Sequence, residues 1–292
     1  MSKVSFTARS AIVSGYATVD YAMALREPLM GPTTATVVAL SGDHWPRPGG
    51  APLYVARRLV AAGHVARLGV ALGEDANGDV YLAACRYAGI DIATISRSAR
   101  IRTPWCMLLY HDDGQYTCLI DRGDVDSAQL GTMSAEAAES TDLLCIAAGS
   151  PRTSAALLAS VSERTCVAWI AKRDPLSFPV GLMIQLAGRS DVIFCNASER
   201  GMVDEVRQSG IRSGQAIIET RGAEGVLVEQ GSVKFRLPCM PLQIHDATGA
   251  GDTLAGEVLA NLLSGRSLEF AVGRGIVAAR ELLAARSLRP AI

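Results

Sequence analysis

From residue 143 onward, short apolar runs alternate with amphipathic ones. Leu143–Ala147, Val167–Ile170, Val192–Cys195, Ala216–Glu219 and Gly225–Glu229 have the length and composition of buried strands. Helical spacing of apolar residues appears between them, near Ser154–Ser160, Gly181–Leu186 and Ser198–Gln208. Parallel neighbours need a long crossover, and a crossover helix must bury its apolar side against the sheet. This alternation therefore predicts an α/β fold whose mainly parallel sheet is covered on both faces. Upstream, Ala11-Ile12-Val13 reads as a first strand ending at Ser14-Gly15, and Val65–Val70 as another. Ile92–Ile95 reads as a short strand. Helical patterns run from Pro52 through Val60, up to Tyr87, and from Phe270 to Ala285. No internal repeat, low-complexity tract or linker interrupts the 292 residues. One domain over residues 1–292 is expected, with a small β lid.

The most informative stretch is Asp246-Ala247-Thr248-Gly249-Ala250-Gly251-Asp252-Thr253, followed by the apolar Leu254–Leu263. Gly249 and Gly251 reach backbone angles closed to other residues. Successive N–H groups can then converge at the positive end of the following helix, where an anion is stabilised. A carboxylate beside such a site suits phosphoryl transfer to an alcohol. The amides would hold charge on the moving group, and Asp252 would take the hydroxyl proton. At a helix start the dipole should keep Asp252 ionised. The same string also reads as a tight turn with Asp252 as an ordinary helix cap.

Asp-x-Thr-Gly-Ala-Gly-Asp-Thr resembles the C-terminal motif of the PfkB (ribokinase-like) carbohydrate kinases. The resemblance implies a ribokinase-like three-layer sandwich. It also implies that Asp252 is the catalytic base and that Gly249, Ala250 and Gly251 form the anion hole. Further motifs follow in the order of that family. Asp20 lies just after the first strand, where open α/β sheets place ligand groups, and the family's Asp there binds sugar hydroxyls. Gly49-Gly50 resembles the family's glycine pair beside the sugar, but the position of its sugar-binding Asn is Tyr54 here. Gly73-Glu74-Asp75-Ala76-Asn77-Gly78 resembles the family's Gly-x-Asp-x-x-Gly.

Asn196-Ala197-Ser198-Glu199 follows a strand and reads locally as a helix entry with Ser198 as cap. Its oxygen ligands also suit Mg²⁺, which keeps several waters when it accompanies nucleotide phosphates. By resemblance Glu199 organises Mg²⁺ through water and Asn196 approaches the phosphates. Thr220-Arg221-Gly222-Ala223-Glu224-Gly225 resembles the nucleotide loop, so Thr220, Gly222 and Gly225 would meet ATP. Asp246 and Thr248 fit the family's monovalent-cation site, which implies K⁺. Lys172-Arg173-Asp174-Pro175 lacks the family wording and takes no role.

Thr18–Leu25, by its alternation, reads as an edge strand. Trp105–Tyr110 and Tyr116–Ile120 flank His111-Asp112-Asp113-Gly114-Gln115 as a hairpin. Together, residues of about 16–26 and 102–122 would form the lid. Trp105 and Tyr110 are expected to serve lid packing or a homodimer contact. Arg102 at the hairpin's base is a substrate-contact candidate.

A net charge of −1 gives no reason to expect a nucleic-acid or membrane partner. Seven cysteines without a Cys-x-x-Cys pair read as buried free thiols of a reducing cytoplasm. The four His are isolated, so zinc is not expected. The expected activity is ATP- and Mg²⁺-dependent phosphorylation of a sugar or sugar derivative. A nucleoside or vitamin-like alcohol as acceptor, or a relative that binds without transfer, are the alternatives.

Overall fold

The computed structural model describes residues 9–27, 31, 34–41, 45–111, 116–128, 137–240, 242, 246–286 and 288–290. The first half of the chain forms β1 (Ser10–Ser14), β2 (Val19–Leu25), β3 (Val37–Ser41), β4 (Arg47–Pro48) and α1 (Ala51–Ala61). β5 (Val65–Gly69), β6 (Ala71–Gly73), α2 (Ala76–Tyr87), β7 (Ser96–Ser98), β8 (Trp105–Tyr110) and β9 (Tyr116–Asp121) follow. The second half forms β10 (Leu143–Ile146), α3 (Pro151–Ser160), β11 (Cys166–Ile170), α4 (Val180–Arg189), β12 (Val192–Asn196) and α5 (Ala197–Arg207). Last come β13 (Ala216–Thr220), β14 (Val226–Gln230), β15 (Val233–Leu237), α6 (Ala250–Leu263), α7 (Leu268–Ala285) and β16 (Leu288–Pro290).

The main sheet has the order β15-β14-β13-β12-β11-β10-β1-β5. The six strands from β13 to β5 are parallel, and β14 and β15 extend the sheet as an antiparallel edge. Both faces are buried, which is why these strands are nearly all apolar. Successive side chains point to opposite faces. Ala11 and Val13 accordingly join one core with Leu53 of α1, Tyr81 of α2, Leu254 of α6 and Ala271 of α7. Ile12 joins the other, with Leu157 of α3, Leu182 of α4 and Val203 of α5. Three layers result.

Local signals set several helix starts. Asp75 and Ser150 accept from Gly78 N–H and Thr153 N–H as N-caps of α2 and α3. Pro52 lies in the first turn of α1, where its missing N–H costs nothing. Gly50, the N-cap of α1, has φ 78°, and a Cβ there would strike the Tyr16 carbonyl. The turn that delivers Gly49 beside β2 is thus open only to glycine.

In the core of α3, α4 and α5, Trp169 is fully buried and meets the Phe178 ring edge-on at 5.7 Å. Trp169→Ala is expected to lower unfolding free energy by about 3–5 kcal/mol through the cavity it leaves. The urea midpoint measures this, and an unchanged midpoint would mean that the core does not depend on the ring.

A second sheet has the order β16-β3-β2-β8-β9, with β4 paired to β2. It contains the strands read as a lid, joined by β3, β4 and the C-terminal β16. Two sequence expectations change here. β2 is internal rather than an edge, because β3 and β4 flank it on one side and β8 on the other. Its alternating pattern is the same for either position, since alternation reports faces and not neighbours. Ile92 and Ile95 lean on the core from a loop, and the strand there is β7, paired with β6. The hairpin β8–β9 is present, while its expected tip at 112–115 lies outside the described residues.

Candidate active site

The carboxyl ends of β10–β13 and the start of α6 meet at one edge of the main sheet, where open α/β sheets bind ligands. Gly249 caps α6 in the left-handed region, at φ 76°. A Cβ there would run into the ring of Tyr54, so the turn lies directly on that ring. The N–H of Ala250 donates to the Ala247 carbonyl at 3.3 Å. Those of Gly249, Gly251 and Asp252 have no backbone acceptor among the described residues, as the first turn of a helix requires. Of the amides expected at 249–251, that of Ala250 is thus engaged in the turn, and those of Gly249 and Gly251 are not.

Asp252 is half-buried in this first turn. Its carboxyl is pushed up to about 6, mainly by burial, with Asp20 and Glu199 adding to the rise; Lys172 is the largest opposing charge. Desolvation outweighs the helix dipole here, so the value rises above that of a free carboxylate. A base with a value near 6 remains mostly ionised at pH 7 and holds a proton better than a free carboxylate, which suits general-base work.

Lys172 directly follows β11 and was given no role by its wording. Its ammonium lies 3.8 Å from Glu199 Oε1. Burial works against its charge, but Tyr116, Glu199, Asp252 and Cys118 together hold its pKa above the ordinary value. The placement rule that singled out Asp20, the carboxyl end of a strand, also applies to Lys172 and would have found it.

Asn196 and Glu199 form a reciprocal capping box at the start of α5. Asn196 Oδ1 accepts from Glu199 N–H at 3.0 Å, and Glu199 Oε2 accepts from Asn196 N–H at 2.9 Å. The cap is Asn196, not the Ser198 of the local reading. Glu199 Oε1 is left facing Lys172. Among the described residues no group of three His, Cys, Asp or Glu could hold a metal alone. This donor set fits Mg²⁺ only as an ion that arrives on nucleotide phosphates, with Glu199 facing its waters.

On β2, Asp20 is buried and accepts from Thr18 Oγ1 at 2.8 Å. Burial raises its pKa, against the pull of Thr18 and Arg47. Any Cβ on Gly49 would collide with this carboxylate, so glycine is what lets the two strands close around it. Beside it, Asp246 takes 2.7 Å and 3.1 Å ion pairs from Arg47 and Arg286. It also accepts from Tyr110 Oη at 2.6 Å and from Thr248 N–H at 2.9 Å. Burial opposes its ionisation, yet Arg286 and Arg47 bring it down to about 2. Where the resemblance implied a monovalent cation, two guanidinium groups face the carboxylate.

Tyr54 is buried, and its hydroxyl accepts from Arg286 Nη2 at 2.7 Å, with the guanidinium 5.5 Å from its ring centre. Tyr110 links the second sheet to the Asp246 turn, so its role is packing of that sheet onto the core. Arg47 and Arg286 escaped the sequence reading, and no local signal marks them. Trp105 meets Tyr21 edge-on and donates to Asp121.

The remaining candidates divide. Thr220 ends β13 with its hydroxyl on the Cys195 carbonyl, and Gly222 and Gly225 have φ 55° and 92° in the turn that follows. Arg221 pairs with Glu219. Arg102 stands apart, exposed and paired with Asp121 and Asp124 rather than with a group of the cleft.

Residues 13–290 match the model of the pfkB family carbohydrate kinases. The chain belongs to that family. Its fold is ribokinase-like. It superposes on the Methanocaldococcus jannaschii nucleoside kinase with a TM-score of 0.76, at 18% identity, over 96% of this chain and 93% of that one. Ribokinase from Cryptococcus neoformans, solved with ADP, gives 0.75 at 22% identity over 94% and 93%. In sequence, the chain is 36% identical to the cytidine kinase of Thermococcus kodakarensis over 124 residues, 39% of this chain and 42% of the relative. It is 44% identical to the bifunctional protein HldE of Cronobacter sakazakii over 57 residues, 19% and 12% of the two chains. The matched stretches thus span less than half of these curated relatives. No helix among the described residues is long and apolar enough to cross a membrane.

Proposed function

We infer that this pfkB-family protein transfers the γ-phosphoryl group of ATP to a hydroxyl of a small sugar or sugar derivative, with Asp252 as general base. The observation that carries this reading is the placement of Asp252. A carboxyl held near 6 stands beside unpaired helix amides, with the Lys172 ammonium as its main counter-charge. Asp20 would accept hydroxyl hydrogen bonds from the acceptor, as a carboxylate can take two at once. Asp252 would remove the proton from the attacking hydroxyl. The amides of 251–252 and Lys172 would meet the charge that gathers on the transferred group. Thr220, Gly222 and Gly225 would hold the nucleotide phosphates, and Glu199 the waters of Mg²⁺. The ion would supply neutralisation of phosphate charge. The second sheet would act as a lid over this cleft.

A nucleoside acceptor is the second reading, favoured by the similarity to cytidine kinase. ADP release with Mg²⁺-ATP over a panel of sugars, sugar derivatives and nucleosides decides between them. Release driven by a sugar compound is expected. Release with nucleosides alone would replace the acceptor, and no release with any of them would overturn the reading as a kinase.

A further inference from the structure

Arg47 is the register partner of Asp20 across β4 and β2. Cross-strand partners project to the same face of a sheet. Of its three guanidinium nitrogens, Nη1 is held by Asp246 at 2.7 Å. Nε and Nη2 are buried and have no hydrogen-bond partner among the described residues. These two nitrogens make up one edge of the guanidinium, with near-parallel N–H bonds. A buried donor left unpaired costs about 1–3 kcal/mol, so an empty edge needs an explanation.

The neighbouring acceptors hold other donors, and none of them, Asp20 included, makes a hydrogen bond to this edge. Asp246 receives Arg47 Nη1, Arg286, Tyr110 and the Thr248 amide. Asp20 takes Thr18, and the Tyr54 hydroxyl takes Arg286. The edge fits two oxygens on one atom, as in a carboxylate or a phosphate, and such bidentate bonds are strong away from water. A single hydroxyl oxygen could accept from both only in a bent, neutral, weaker arrangement.

We propose that the acceptor carries a carboxylate or phosphate of its own, gripped by the Nε–Nη2 edge of Arg47 beside the Asp20 hydroxyl site. This rests on the kinase reading and narrows it from sugars in general to sugar acids or sugar phosphates. Arg47 binds and positions the acceptor and takes no part in the proton transfer.

Calorimetric titration of the full chain without nucleotide tests this with matched pairs: D-gluconate against D-glucitol, and D-fructose 6-phosphate against D-fructose, with cytidine as the neutral nucleoside. One anionic compound is expected to bind at least about tenfold more tightly than its neutral match, and which pair shows the gap tells carboxylate from phosphate. Arg47→Gln should weaken that compound about 100-fold, two charge-assisted bonds at roughly tenfold each, and should weaken the neutral match far less. Arg47→Lys keeps a charge for Asp246 but lacks the edge, so it should recover thermal stability and only part of the affinity. Equal affinity within both pairs, tighter cytidine binding, or an equal loss across all compounds in both variants would overturn the proposal. ADP release, followed in parallel, keeps the two readings apart. Turnover of neutral acceptors that bind as well as the anions leaves the kinase standing and removes the anion. An Arg47-dependent anion affinity with no ADP released from any compound does the reverse.

Discussion

Asp252→Asn is expected to keep the melting temperature at or above the wild-type value while lowering phosphoryl transfer by about 10²–10⁴-fold. The two halves of this result have separate causes. Gly249 caps α6 and no side chain makes a capping bond there, so Asp252 is not the cap that its local sequence also allowed and α6 keeps its start in the variant. The carboxyl's pKa is raised from the ordinary 3.8 to about 6 in the folded protein. Between those values the folded state holds a proton that the unfolded state has lost, so stability declines as pH rises through the window, and the deficit is complete above about 6. Asn carries no such deficit, and the variant should gain stability relative to wild type at pH 7–8 but not at pH 4. Calorimetric melting at both pH values and ADP release at pH 8 measure the two effects. Survival of activity in the variant would show that residue 252 is not the base.

Lys172→Met should lower the rate at its pH plateau by roughly 10²-fold, the scale of one lost charge-stabilising group. It should also move the acid limb of kcat/KM. In wild type, activity should fall as pH drops through about 6, where Asp252 takes up its proton. Lys172 is the strongest influence holding that value down. Without its charge the carboxyl ionises less readily, and the limb moves to higher pH. Lys172→Arg retains a cation and should restore the limb more fully than the plateau rate. The side chain is 56% exposed, so water screens part of its field and the displacement should shrink as salt is raised. An acid limb that stays in place in Lys172→Met would show that the ammonium and the base are not coupled.

Much of the site could be read before folding because its signals are local. The glycines at 249 and 251 and the acid at 252 lie within about one helical turn, just ahead of the apolar run, and a turn's geometry follows from its own residues. Gly50 is similar, since its positive φ and the proline two residues later describe one helix entry. The capping box of Asn196 and Glu199 also lies within a single turn, although the local reading placed the cap at Ser198. Asp20 was legible for a different reason: a strand end in a parallel sheet has a known place. Lys172 has the same kind of address and went unread because its neighbours lacked familiar wording.

What failed depended on distance. Arg47 meets Asp246 from 199 residues away, and Arg286 reaches it from 40 residues beyond. No periodicity relates such positions, because their contact exists only after the second sheet docks on the core. β2 was read as an edge for the same reason, since pairing partners are chosen in three dimensions.

By itself, then, the order of residues determined the layers of the fold, the helix starts and the glycine turn that carries Asp252, because backbone sterics and apolar periodicity act over a few residues. Only the tertiary structure decided how strongly Asp252 holds its proton, that the Lys172 charge opposes that hold, and that two arginines pair with Asp246. Desolvation and Coulomb forces depend on every atom packed around a charge, and that packing is assembled from the whole length of the chain.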